Sequence, residues 1–220
     1  MAENSAAIAG DIADKERFPR RTARRQQTRV RILEAALNEF RRVGYAEATM
    51  NAIAEAADIH VTTLFTHFKA KRELAETLAN IELEQLSEMI EAAKGKIPVF
   101  EFFRGLVLAT AKERQDKGDH KRGISRESLQ EPELALNWMR YEEQEIKLLA
   151  GYIAVDFGLD IETDYVPFLA ADVLISSGVL AWSRWRKARA SYDLVAESEI
   201  ALDLAERMAR AILPLRPLQR

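Results

Sequence analysis

Apolar residues return at steps of three and four along nearly the whole of this chain, a spacing that belongs to helices with one buried face. From about Thr22, residues Val30, Leu33, Leu37, Phe40 and Val43 line one side of an amphipathic helix that closes at Gly44. Thr49 then offers a capping hydroxyl, and Met50, Ile53, Ala54 and Ala57 make a short second helix. After Asp58 and Ile59, residues 60–68 read as a third helix of barely two turns, with Leu64 and Phe68 four apart and turned inward. A fourth helix runs from about Lys71 to Lys94 and stops at Gly95. A fifth starts at Pro98 and ends near Gly118, with Phe102, Phe103, Leu106 and Ala109 as its buried stripe. Pro132 opens a long helix that bears Leu134, Trp138, Tyr141, Ile146, Leu149 and Ile153 and ends near Gly158. Another begins at about Tyr165 with Pro167 in its first turn, and a last one, from about Ser198, carries Ala201, Leu204, Ala205, Met208, Ala211 and Ile212 up to Pro214. The expected fold class is all-α: a three-helix head followed by an antiparallel helical bundle.

Composition narrows the function classes. With 220 residues and 48% hydrophobic content, the chain can bury a sizeable core. It has no cysteine, so thiolate nucleophiles, disulfides and Cys-ligated zinc are excluded, and an intracellular protein is expected. The N-terminal residues lack the apolar core of a signal peptide, so a cytoplasmic location is expected. The least charged run, Val166 to Trp182, is short and contains Asp172, which points to a buried helix and to no membrane span. His60 and His67 stand about 10 Å apart along a helix, too far for one ion. His120 has no accompanying metal motif, so neither a metal nor a cofactor is expected. The nine glycines are scattered, with no phosphate loop and no nucleophile–base pattern, which argues against an enzyme.

Charge is unevenly spread. Between Arg20 and Lys71 ten bases face five acids, so this stretch carries +5 and the remainder −8. A basic head on an acidic body suits phosphate binding, although charge alone fits a solvated basic helix equally well. Two short helices joined by a turn, with basic residues around them, have the outline of a DNA-reading helix-turn-helix.

The stretch from Thr49 to Leu74, with Ile53-Ala54, Ala57, Leu64, His67-Phe68, Lys71 and Leu74 in matching type and spacing, resembles the signature of the TetR family of transcriptional regulators. It departs at Asp58, His60, Thr62 and Phe65, and Phe65 has no hydroxyl to offer a phosphate. Residues 1–19 lack periodicity and read as a flexible arm, and the resemblance implies a DNA-binding domain over 20–70 and a regulatory, ligand-binding and dimerisation domain over 71–220. Thr49, His67 and Lys71 are then expected to meet phosphates, and His60, Val61, Thr62 and Thr63 to face base edges, with Val61 and the threonine methyls suited to thymine. Arg24 and Arg25 would cross the backbone or, with Arg20 and Arg21, follow the minor groove. Thr49 can serve as a cap alone, and an aromatic such as Phe65 is more often core than contact.

The resemblance also implies a homodimer on a roughly palindromic operator, its half-sites roughly 34–36 Å apart. Phe168, Ala171, Ile175, Gly178, Trp182 and Trp185 step as a coiled-coil seam. Ile175, Gly178, Trp182, Trp185, Leu204 and Met208 are therefore the expected dimer contacts, against the alternative that the seam is buried within one chain. Family members commonly hold a hydrophobic effector in the body. Phe102, Phe103, Leu106, Trp138, Tyr141 and Phe168 are the expected lining, unless they are plain core, and Asp172 is a polar group that faces either the pocket or solvent. Drugs, lipids, acyl thioesters and pigments all fit such a lining. The function expected is a repressor released by a small molecule; the alternative is a DNA binder of the same family with no small-molecule effector, architectural or protein-regulated.

Overall fold

The structure, a computed structural model, describes residues 19–116, 132–188 and 192–213. The arm expected over residues 1–19 lies outside them but for Pro19, as do Gly118, His120 and Pro214; the side chains of Arg20, Arg21, Leu134 and Trp138 are likewise outside the description. Among the described residues there are eight helices and no strand: α1 (Pro19–Val43), α2 (Met50–Ala56), α3 (Val61–His67), α4 (Lys71–Ala93), α5 (Val99–Asp116), α6 (Pro132–Phe157), α7 (Val166–Lys187) and α8 (Leu194–Ile212). Two compact units divide inside α4, between Leu78 and Ala79. Leu74 and Ala75, both buried, fall in the first unit, so that unit reaches past the start of α4, where the sequence reading drew the boundary.

In the first unit α2 packs on α1 and α3 on α2. The buried face of α1 is Ile32, Leu33, Ala35, Ala36 and Phe40, while Val30, expected on that face, is 52% exposed. Leu33 and Phe40 set the direction, and at 100° per residue Val30 falls outside the arc they share with Ile32 and Ala36. Gly44 closes α1 at φ 89°, its N–H donating to Phe40 O at 3.0 Å. Asp58 does the same for α2 at φ 51°: its N–H donates to Glu55 O and that of Ile59 to Ala54 O, each at 3.0 Å. That pair of bonds is a Schellman closure, and a short polar side chain tolerates it best after glycine.

The second unit is one helical bundle. Its core joins Ile90 and Ala93 of α4, Val99, Phe100 and Phe103 of α5, Leu149, Tyr152, Ile153 and Phe157 of α6, Ala171, Leu174 and Ile175 of α7, and Leu202, Ala205 and Ala209 of α8. Three expectations are corrected here. The inner stripe of α5 is Val99, Phe100, Phe103 and Ala111, which puts Ala109 on the exposed side and leaves Phe102 and Leu106 half-buried at its edge. The last helix begins at Leu194 rather than Ser198, since Asp193 caps it by accepting from Ala196 N–H at 3.1 Å. The α7 seam is internal: Ile175 and Trp185 are buried, Trp182 packs on the cluster of Ala111, Ala181, Trp185 and Leu194, and a Cβ at Gly178 would meet Val107 Cγ1 at 3.7 Å. Residues 166–185 are long and apolar enough to cross a membrane by composition, yet they supply this core.

Candidate nucleic-acid interface

Thr49 caps α2 in extended conformation, its Oγ1 accepting from Ala52 N–H at 3.1 Å, which leaves the hydroxyl proton available to an outside acceptor. His60 caps α3 through its backbone alone, with Thr63 and Leu64 N–H donating to its carbonyl at 2.9 and 3.1 Å. Its imidazole is exposed. Leu64 and Phe68 are fully buried and anchor α3, so the opposite side faces outward: Thr62, Phe65 and Thr66 are exposed and Val61 and Thr63 half-buried. Phe65, at 48% exposure, is therefore surface rather than core. A surface depression of about 510 Å³ is lined by Asn51, Ala54, Glu55, Asp58, Ile59, His60 and Val61, which brings the Asn51 carboxamide of α2 beside the first turn of α3. Nothing in the spacing of α2 marks Asn51; only the turn at Asp58 places it there.

The cations around this surface divide into two groups. Arg24 and Arg25 are exposed on α1. Arg29 reaches His67 O at 3.4 Å with its guanidinium 4.1 Å from the Phe68 ring centre, and Arg31 reaches Asp58 O at 3.4 Å. Lys71, expected to meet a phosphate, is corrected to an internal strut: its Nζ donates to Tyr45, Ala46 and Ala48 carbonyls at 2.6, 3.0 and 2.9 Å and lies 4.5 Å from the Tyr45 ring centre. An ammonium has three protons, and these three carbonyls take them all. His67 is half-buried, and burial first, then the charges of Arg25 and Arg29, hold its pKa below the ordinary 6.5.

In the second unit the residues expected to line a pocket are spread over several roles. Phe103 is plain core, Phe168 and Leu106 are half-buried, and Phe102 meets the Tyr152 ring at 5.5 Å. Asp172 is exposed, on the outward side of α7 with Leu169, Ser176 and Leu180, so it faces solvent and not the bundle interior. A half-buried acid of the second unit is Glu145, one turn beyond Tyr141 on α6. Burial raises the Glu145 carboxyl to about 7, helped by repulsion from Glu142 and Glu82, and burial likewise pushes up the Tyr141 phenol beside Glu145 and Glu82. An acid standing between the apolar positions Tyr141, Ile146 and Leu149 was the available signal for it.

Residues 32–78 match the profile of bacterial regulatory proteins of the tetR family. The HTH-type transcriptional regulator TcmR of Streptomyces glaucescens is 31% identical over 191 residues, covering 81% of this chain and 82% of TcmR. The fold is similar to that of the transcriptional regulator FadR from Bacillus subtilis, solved in complex with stearoyl-CoA, at a TM-score of 0.59 and 19% identity over 80% of this chain and 96% of that one. It is also similar to NalD, the secondary repressor of the MexAB-OprM multidrug efflux pump in Pseudomonas aeruginosa, at a TM-score of 0.58 and 21% identity over 83% of this chain and 96% of NalD.

Proposed function

This chain belongs to the TetR family of transcriptional regulators, and from that premise we propose that it is a cytoplasmic repressor that grips a palindromic operator as a homodimer and lets go when a small, largely hydrophobic molecule enters its body. The observation that carries the dimer is a second apolar row. Leu169 and Leu180 on α7, and Ile200, Leu204, Met208 and Ile212 on α8, are between 45% and 59% exposed, on two helices that pack against each other. Leaving so many large aliphatic side chains in water on adjacent helices is costly unless another surface covers them. Two copies related by a twofold axis bury the same row against itself as a four-helix packing. Leu204 and Met208 keep the dimer role expected of them, Leu169, Leu180 and Ile200 join it, and Ile175, Gly178, Trp182 and Trp185 leave it.

On the head, Arg24, Arg25, Thr49 and His67 meet phosphates, while His60, Val61, Thr62, Thr63 and Phe65 lie against the bases. In the body, Phe102, Leu106, Phe168 and Tyr141 border the effector, with Glu145 as the polar group in place of Asp172. The similarity in fold to a regulator solved with stearoyl-CoA is consistent with an apolar ligand. Effector release requires tighter binding to the arrangement that cannot hold DNA, by about 1–3 kcal/mol in typical cases.

The test is the pair Leu204→Glu and Met208→Glu in one chain, followed by analytical ultracentrifugation and titration of a selected operator. We expect a folded monomer with operator affinity down at least a hundredfold. A wild-type chain that sediments as a monomer, or a variant that stays dimeric, overturns the reading.

A further inference from the structure

The outward face of α3 is short of the groups that usually read bases by paired hydrogen bonds. Between His60 and Phe68 there is no Arg, Lys, Asn or Gln, the side chains that make bidentate contacts with guanine or adenine in the major groove. The Thr66 hydroxyl is already engaged, donating to Thr63 O at 2.6 Å. Polar reading is confined to the first turn, where His60 and the neighbouring Asn51 of α2 line one depression. From Val61 at the edge of that depression through Thr62, Phe65 and Thr66, the face otherwise offers a branched aliphatic group, threonine methyls and a phenyl ring, with Phe65 nearly half exposed.

We propose that Phe65 and Val61 are specificity-determining residues that recognise the C5-methyl groups of thymines, so that each operator half-site carries at least two thymines whose methyls, rather than whose hydrogen-bonding edges, are read. This rests on the DNA-binding reading above and adds to it the chemistry of the preferred sequence. The thymine methyl is the one apolar feature the major groove presents, and a phenyl or isopropyl group gains by removing it from water as hydrogen-bonding side chains do not. Lys71 spends all three of its protons on backbone carbonyls, and Arg29 and Arg31 lie on α1 with one guanidinium nitrogen each turned to a carbonyl, so α3 itself presents no cation to guanine.

The experiment uses the full chain and an operator selected from random duplexes at moderate salt. Each thymine of one half-site is replaced singly by deoxyuridine, which removes the methyl and leaves pairing and charge unchanged. Two or more positions are expected to lose roughly fourfold in affinity each, the loss that corresponds to one buried methyl. Phe65→Ala should abolish the uridine sensitivity at one of them and Val61→Ala at another, while Phe65→Tyr, which keeps the ring, should retain it. Both sites are at the surface or half-buried, and circular dichroism of each variant checks the fold. If every uridine is silent while salt-sensitive, sequence-selective binding persists, or if the selected half-site has no thymine at those places, this inference falls and the DNA-binding reading stands. If no duplex is bound even at low salt, both fall together.

Discussion

In the head, Lys71, Arg29 and Arg31 point their charges at backbone carbonyls, whereas in the body Glu145 sits half-buried on α6 among other acids. In the first arrangement a cation exchanges part of its water shell for carbonyl oxygens and loses little. The second favours the neutral form, because burial and the fields of Glu142 and Glu82 act in the same direction. The head therefore uses fixed charge to hold a loop and a short helix in place. The body keeps a group whose charge depends on pH and on whatever lies beside it.

The largest effect that tests this contrast is expected at Lys71. Lys71→Met keeps the aliphatic stem and removes the three donors from the loop at residues 45–48, two of whose carbonyls are part-buried. We expect the head to lose about 3 kcal/mol in urea unfolding followed by hydrogen exchange, on the basis of bonds to a charged group. The salt dependence of DNA binding should not change. A reduced salt slope with unchanged stability would return Lys71 to the phosphates and undo the contrast from the head's side.

Next comes Glu145. A carboxyl whose folded pKa is raised holds its stability at low pH and loses it as pH climbs, here between the ordinary 4.5 and about 7. Glu145→Gln should thus stabilise the body by about 2 kcal/mol at pH 8, allowing for partial exposure, and by nothing at pH 4. Thermal unfolding at the two pH values measures it. Equal melting shifts at both would mean that the side chain is solvated and that the two regions do not differ as described.

The smallest effect belongs to His67, which burial and the charges of Arg25 and Arg29 hold toward its neutral form. Phosphates that neutralise Arg25 and Arg29 should let its pKa rise, so binding should take up a proton as pH falls through the ordinary 6.5. Operator affinity should improve about two- to fivefold from pH 7.5 to 6.0 at constant salt, roughly what one partially coupled proton supplies. That gain should disappear in His67→Gln and survive in His60→Gln. A pH-independent wild type would place His67 away from the backbone.

Much of this molecule can be read from residues that are close together in the chain. Helix positions follow from steps of three and four; Thr49 as a cap, Gly44 as a stop and Asp58 in left-handed geometry are local backbone chemistry; and the compound pattern from Ile53 to Leu74 identifies the head. Boundaries shifted where a cap was overlooked, as at Asp193. What periodicity could not rank was the two sides of a helix that is apolar on both. In α7 and α8, Ile175, Trp185, Leu202 and Ala205 lie inside while Leu180, Ile200, Leu204 and Met208 lie outside. A local window treats a core position and an interface position alike, because each is simply an apolar residue.

The sequence alone thus determined an all-helical regulator with a basic, helix-turn-helix head, since those properties depend on neighbours within a few residues. Only the tertiary structure decided that Lys71 is a strut, that Asp172 lies outside the bundle core, that Glu145 is half-buried beside Tyr141, and which apolar row stays exposed. Each of those depends on groups brought together from 23 to 26 residues away, as at Lys71, or from a different helix altogether, and burial and electrostatic fields depend on distance in space rather than along the chain.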